Sequence, residues 1–166
     1  MQIGFGRTAV LLSLVLMLTS CAGGISRQAR DQITYDGPFV DVQRDPARYK
    51  GETLLLGGKV IETSTRAGAT EMVVLQLEIG TRDRPKDNDQ SQGRFLVRSA
   101  QFIDPAIFPQ GTLITVVGRL QGSETRLIGE MSYTYPVMDI MEIKKWSPVS
   151  DPSPRFHFGI GIGTHF

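Results

Sequence analysis

Downstream of residue 37, no segment keeps a 3.6-residue apolar period for more than about seven residues before a glycine or proline interrupts it. That excludes a helical bundle, because a helix must keep an apolar stripe over several turns to bury itself. With 18 glycines and 9 prolines among 166 residues, the chain favours short strands and turns. Residues 53–63 are apolar and β-rich, and the pair Gly57-Gly58 in their middle predicts a bulge or a barrel corner. Residues 70–79 alternate, with Val73, Leu75, Leu77 and Ile79 on one face and Val74, Gln76 and Glu78 on the other. In 94–98, Phe95 and Val97 oppose Arg94, Leu96 and Arg98. Further strands are expected at 113–120, 126–135 and 137–146, with a turn at Gly122 and an edge or corner at Pro136. Asp104 as N-cap and Pro105 as first residue predict a short helix over 104–108. Asp45-Pro46 to Gly51 predicts a single turn ended by glycine. The expected fold is therefore mostly β. Five or six such strands suit a small OB-like barrel, closed or partly open, with a small β-sandwich as the alternative.

The first twenty residues are of a different kind. Residues 9–18 (AVLLSLVLML) are uncharged, the length of a signal-peptide apolar core and well short of the roughly 20 residues a membrane-spanning helix needs. They lead into Leu18-Thr19-Ser20-Cys21, which holds the only cysteine. Small residues directly before a lone cysteine read as a bacterial lipobox, cut between Ser20 and Cys21, with the Cys21 thiol taking up a diacylglycerol as a thioether. The freed α-amine accepts a third acyl chain, and several chains give a stable anchor where one does not. Ala22 is not the aspartate that retains lipoproteins in the inner membrane, so the expected address is the outer membrane, periplasmic face. The implied partners are that membrane, the lipoprotein processing and export machinery, and an envelope protein.

These readings divide the chain into a signal peptide (1–20), a lipidated cysteine with a polar tether (21–37), a barrel-like domain (38–146) and a Pro-rich linker with an alternating strand or tail (147–166). In the last of these, Phe156, Phe158, Ile160, Ile162 and Phe166 alternate with His157, Gly159, Gly161, Gly163 and His165. That pattern is expected to cover an edge of its own domain, or else to pair with a partner chain or lie at the membrane surface.

Removing residues 1–20 takes away one charged residue, Arg7, and leaves 17 of each sign. A neutral chain gives nucleic-acid binding no electrostatic support. With Cys21 lipidated no thiol remains for disulfides, thiolate metal sites or cysteine catalysis. Both histidines lie in the tail, so neither a metal nor a cofactor is expected. Asp87-Asn88-Asp89 lacks the glycine and glutamate of a calcium loop and reads as part of a solvated loop over 81–92. There is no G-x-S-x-G elbow, and the carboxylates Glu71, Glu78, Asp104 and Glu130 are not expected to converge. Tyr133, Tyr135 and Trp146 form a candidate aromatic binding patch, with core or rim packing as the competing role.

The chain resembles the Slp-type outer-membrane lipoproteins, the carbon-starvation-inducible family. The resemblance is carried, in order, by Tyr49-Lys50-Gly51, Gly57-Gly58-Lys59-Val60-Ile61, Gly93-Arg94-Phe95 and Phe102-Ile103-Asp104-Pro105. Gly111, Ile114 to Gly118, Ile128-Gly129-Glu130, Tyr133 to Val137 and Trp146 complete it. Gln76-Leu77-Glu78 and Leu56 stand where the family tends to carry Pro-Leu-Asp and an aromatic. The resemblance implies an outer-membrane-anchored lipoprotein linked to starvation and envelope stress, without catalytic residues. The expected function is thus a non-enzymatic envelope lipoprotein that binds a partner. A binding module for an envelope oligosaccharide or lipid headgroup is the alternative, and an enzyme the third reading.

Overall fold

The computed structural model describes residues 24–66 and 68–147. The lipobox with Cys21 and the alternating tail lie outside the described residues. Five strands, β1 (Thr53–Arg66), β2 (Ala69–Leu77), β3 (Arg94–Ser99), β4 (Leu113–Ile128) and β5 (Met131–Trp146), close into a barrel in the order β1-β2-β3-β5-β4. All neighbours are antiparallel except β3 and β5, which run parallel. This is the small closed barrel that the glycine-punctuated strands predict.

The interior is filled from every strand. Leu54, Leu56 and Val60 of β1, Met72 and Val74 of β2, and Phe95 and Val97 of β3 meet Ile114, Val116 and Leu120 of β4 and Met138 of β5. Two short elements add to this core. The helix α2 (Phe39–Arg44), preceded by α1 (Arg27–Arg30), sends in Phe39 and Val42, and the Phe39 ring lies 5.7 Å from that of Phe95. From the β3–β4 connection Phe108 enters the same cluster.

At Gly57 and Gly58, β1 is paired on both sides, with β2 through Leu77 and Gln76 and with β4 through Thr115 and Ile114. A Cβ on Gly58 would lie 2.5 Å from the Leu75 carbonyl oxygen and closer still to a Val74 methyl. The glycines therefore permit close approach at a barrel corner, while the bulge itself falls later, at Ile61.

Several sequence expectations change. The predicted strands 126–135 and 137–146 do not exist as such. Instead β4 runs on to Ile128, the two residues Gly129-Glu130 turn the chain, and β5 runs unbroken to Trp146. Gly129, at φ 60°, supplies the left-handed conformation that a two-residue hairpin needs at its first position. Gly122 is not a turn but follows the bulge at Gln121, and Pro136 sits inside β5 just before Val137 joins β3. At Pro136 only one edge is paired, so its missing N–H is tolerated. The expected helix at 104–108 is a pair of turns, in which Asp104 still caps by accepting from the Ala106 N–H at 2.9 Å.

The polar stretch read as a tether is also different, because residues 24–36 lie on the barrel. Ile25 and Ala29 pack on Val117, with Ile33 and Leu55 beside them. Ser26 caps α1 by accepting from the Ala29 N–H and anchors it by donating from its own N–H to Glu142 at 2.8 Å. The N–H groups of Thr34 and Tyr35 both donate to the Thr53 carbonyl.

The Gly58→Ala substitution is expected to destabilise the barrel by about 2 kcal/mol, since neither a strand carbonyl nor a buried valine can withdraw from the added methyl. A fall of several degrees in the Tm of the purified protein would register it.

Candidate functional site

Beyond the paired body of the barrel, β4 and β5 continue as a two-stranded arm, because β1 pairs with β4 only from Leu113 to Arg119. One face of this arm alternates half-buried Glu124, Arg126 and Ile128 on β4 with their partners Tyr135, Tyr133 and Met131 on β5. It turns toward the outer surface of β2 and β3. Tyr135 and Val137 bury Leu96 there, with Val73, Ile128 and Tyr133 packed against them. So the apolar alternation in β2 does not point into the barrel: Met72 and Val74 face the core, and Val73 faces the arm.

Next to this apolar seam lies a four-residue ion-pair lattice. Arg126 makes a bidentate contact with Glu71 (2.7 and 2.8 Å) and reaches Glu124 through Nε at 2.8 Å. Arg98 donates from Nε to Glu71 at 2.9 Å and from Nη2 to Glu124. The four side chains, with Ala69 and Thr70, line an open cavity of about 260 Å³. Alternation along three separate strands places them together: Glu71 and Arg98 are register partners between β2 and β3, and Glu124 and Arg126 are two apart on β4.

The lattice holds its charges fixed. Hydrogen bonding from Arg126, helped by Arg98, holds the Glu71 carboxyl below the usual carboxylate range despite its partial burial. Glu124 is lowered by the same two guanidiniums. Arg126 is raised by its bonds to Glu71 and Glu124. Two cations matched by two anions give an incoming ion no net attraction. Glu71 stays ionised at neutral pH and is unsuited to donate a proton.

Tyr133 and Tyr135 come together, with ring centroids 4.7 Å apart in an edge arrangement. Neither offers a stacking platform, because Tyr135 is 4% exposed and the Tyr133 hydroxyl accepts from the Arg94 N–H at 2.7 Å. Trp146 is not part of the patch. It pairs with Leu113 at the far end of β5, where its indole N–H donates to Thr115 Oγ1 at 2.9 Å. Glu78 is paired with Lys86, Asp104 caps its turn, and Glu130 sits in the exposed hairpin turn, so the four carboxylates do not converge. Among the described residues no group of His, Cys, Asp and Glu is placed to hold a metal ion.

One charged residue assigned to a solvated loop is buried instead. Asp83 accepts from the Ile25 N–H at 3.0 Å and pairs with Arg30, while its carbonyl accepts from Thr115 Oγ1 at 2.5 Å. Burial opposes its ionisation, but Arg30 and the Ile25 amide prevail and lower its pKa. Arg82 and Asp83 both adopt positive φ, 56° and 65°, a conformation that costs a side-chain-bearing residue about 1–2 kcal/mol. The loop is held in this form by its bonds to the N-terminal segment and β4. No local sequence pattern signals it.

A family model described as the outer membrane lipoprotein Slp family matches residues 18–159. The chain is 29% identical over 156 residues to the Escherichia coli K12 protein named uncharacterized lipoprotein YeaY, covering 90% of this chain and 80% of that one. Outer membrane protein Slp of the same organism is 27% identical over 139 residues, covering 83% and 73%. A Haemophilus influenzae protein is 35% identical over 97 residues, covering 58% and 52%. No solved structure matches at a significant level.

The lattice predicts a pH dependence. Glu71 and Glu124 have folded pKa values below the ordinary 4.5, so their stabilisation is complete above about pH 4.5 and is lost as pH falls through the lowered values. Glu71→Gln should cost about 1–2 kcal/mol at pH 7, toward the lower range for charged hydrogen bonds because solvent reaches Arg98 and Glu124. Urea titrations from pH 7 to pH 3 should show a shallower acid loss in the variant than in the native protein.

Proposed function

This chain belongs to the outer membrane lipoprotein Slp family and is an envelope lipoprotein, and on that premise we propose that it is a non-enzymatic anchored binding protein. In this reading the chain is cut after Ser20, acylated on Cys21 and faces the periplasm. Its barrel presents the β4–β5 arm to an envelope protein. The observation that carries the reading is the arm itself. Its shaft is braced by the ion lattice at Glu124 and Arg126, and near its tip Leu127 and Met131 stand 70% and 76% exposed. Large apolar side chains held out on a braced hairpin suit a protein contact.

The absence of an enzymatic role is supported by the commitment of Glu71, Glu78, Glu124 and Asp83 to structural ion pairs. The oligosaccharide reading loses its aromatic platform, since Tyr135 is buried and Trp146 lies at the other end of β5.

Cys21→Ser should abolish incorporation of labelled palmitate and leave the uncut precursor, seen as a slower band in the same gel. A photo-crosslinking residue at position 127 should yield a discrete protein adduct in intact cells, identified by mass spectrometry. The adduct should be lost on Met131→Asp, whereas a native protein giving no adduct from the tip would remove the arm as the contact.

A further inference from the structure

The N-terminal segment is docked down to Ile25, whose N–H is bound by Asp83. Gly24 lies directly against Asp83 and the Arg82 carbonyl, where an added Cβ would clash. Only two residues, Ala22 and Gly23, lie between Cys21 and Gly24, a reach of at most about 11 Å. If Cys21 carries the lipid, Gly24 is held that close to the lipidated cysteine, and the barrel surface around it is brought to the headgroups. This inference rests on the anchoring reading above and adds which face meets the membrane.

That surface has the composition of a membrane interface. Arg82, next to Gly24, is exposed. From the same loop Arg84 sits over the Trp146 ring at 5.6 Å, and Lys144 lies over the ring at 5.7 Å. Thr115 links the loop to the tryptophan, bonding the Asp83 carbonyl and the indole N–H together. Lys145, exposed, borders an open groove of about 320 Å³ between Trp146 and residues 109–113. Arg82, Arg84, Lys144 and Lys145 have no carboxylate partner among the described residues. Of the two nearby acids, Asp83 is paired with Arg30, while Glu142 accepts from the neutral Ser26 and keeps its charge, so the four cations of this face outnumber one unpaired carboxylate. The arginines of the arm, by contrast, are neutralised by glutamates, so of these two surfaces the positive one lies beside the anchor.

We propose that this face, formed by Arg82, Arg84, Lys144, Lys145 and Trp146, rests on the membrane and binds anionic phospholipid headgroups. Tryptophan takes the interfacial position between apolar chains and water, and the basic side chains meet the phosphates. The short connection supplies the proximity and the charge selects the orientation.

Trp146 is the sole tryptophan and so reports on the contact directly. The mature lipoprotein would be reconstituted into phosphatidylethanolamine–phosphatidylglycerol vesicles carrying a nitroxide at the headgroup, with the lipid on Cys21 verified by mass. Trp146 emission is expected to be quenched about twofold relative to unlabelled vesicles, and Arg82→Glu with Lys145→Glu should remove at least about half of that quenching. Unquenched emission from a protein whose Cys21 is lipidated would overturn the proposal while leaving the anchor intact. Quenching unaffected by the charge reversals would overturn the headgroup assignment. A protein with no lipid on Cys21 would overturn the anchoring reading, and this one with it.

Discussion

Three residue pairs between β3 and β5, Leu96 with Val137, Val97 with Met138 and Arg98 with Asp139, close the sheet, and the rest of the architecture depends on them. Closure removes the open edges of a five-stranded sheet. It also sets the two faces of β3 apart, sending Phe95 and Val97 into the barrel and leaving Leu96 and Arg98 outside. Leu96 is nevertheless fully buried, because the strand that closes the barrel also carries the arm that folds over it. The same register step places Arg98 beside Glu71 and within reach of Glu124, so the ion lattice follows from the closure.

A barrel this small has little interior, and the structure compensates by burying both outer faces as well. On the β2–β3 side the cover is the arm, with Tyr135 and Val137. On the β1–β4 side it is the N-terminal segment, with Ile25 and Ala29 on Val117. The two covers leave different surfaces behind. The arm side is charge-neutral and braced, with apolar side chains exposed at its tip. On the N-terminal side, cations stand beside the point where the chain leaves toward Cys21. The first is the surface proposed for a protein contact and the second the surface proposed to meet the membrane.

Much of the barrel could be read before folding. Phe95 and Val97 opposing Arg94, Leu96 and Arg98 gave the correct faces of β3, and Gly57-Gly58 marked the corner where β1 is paired on both edges. The errors have a common cause. Gly122 and Pro136 are breakers by local rules, yet each falls where the long hairpin tolerates it, one beside a bulge and one on a strand with a single paired edge. Ile25, Ala29 and Ile33 recur at intervals of four, but over too few turns to declare a helix without the barrel that receives them. Trp146 and the tyrosines are aromatic and close in sequence, but the extended β5 that carries all three sets Trp146 at one end and Tyr133 and Tyr135 toward the other.

Composition and local order alone gave the pattern of a lipoprotein signal followed by a small β domain. Those properties need only a run of apolar residues, a lone cysteine and frequent glycines. Which face of β2 is inside, which carboxylates meet which arginines and where the uncompensated cations lie were decided by the tertiary structure. These depend on register between strands distant in sequence, and a period of two residues specifies two faces without saying which of them will be covered by what.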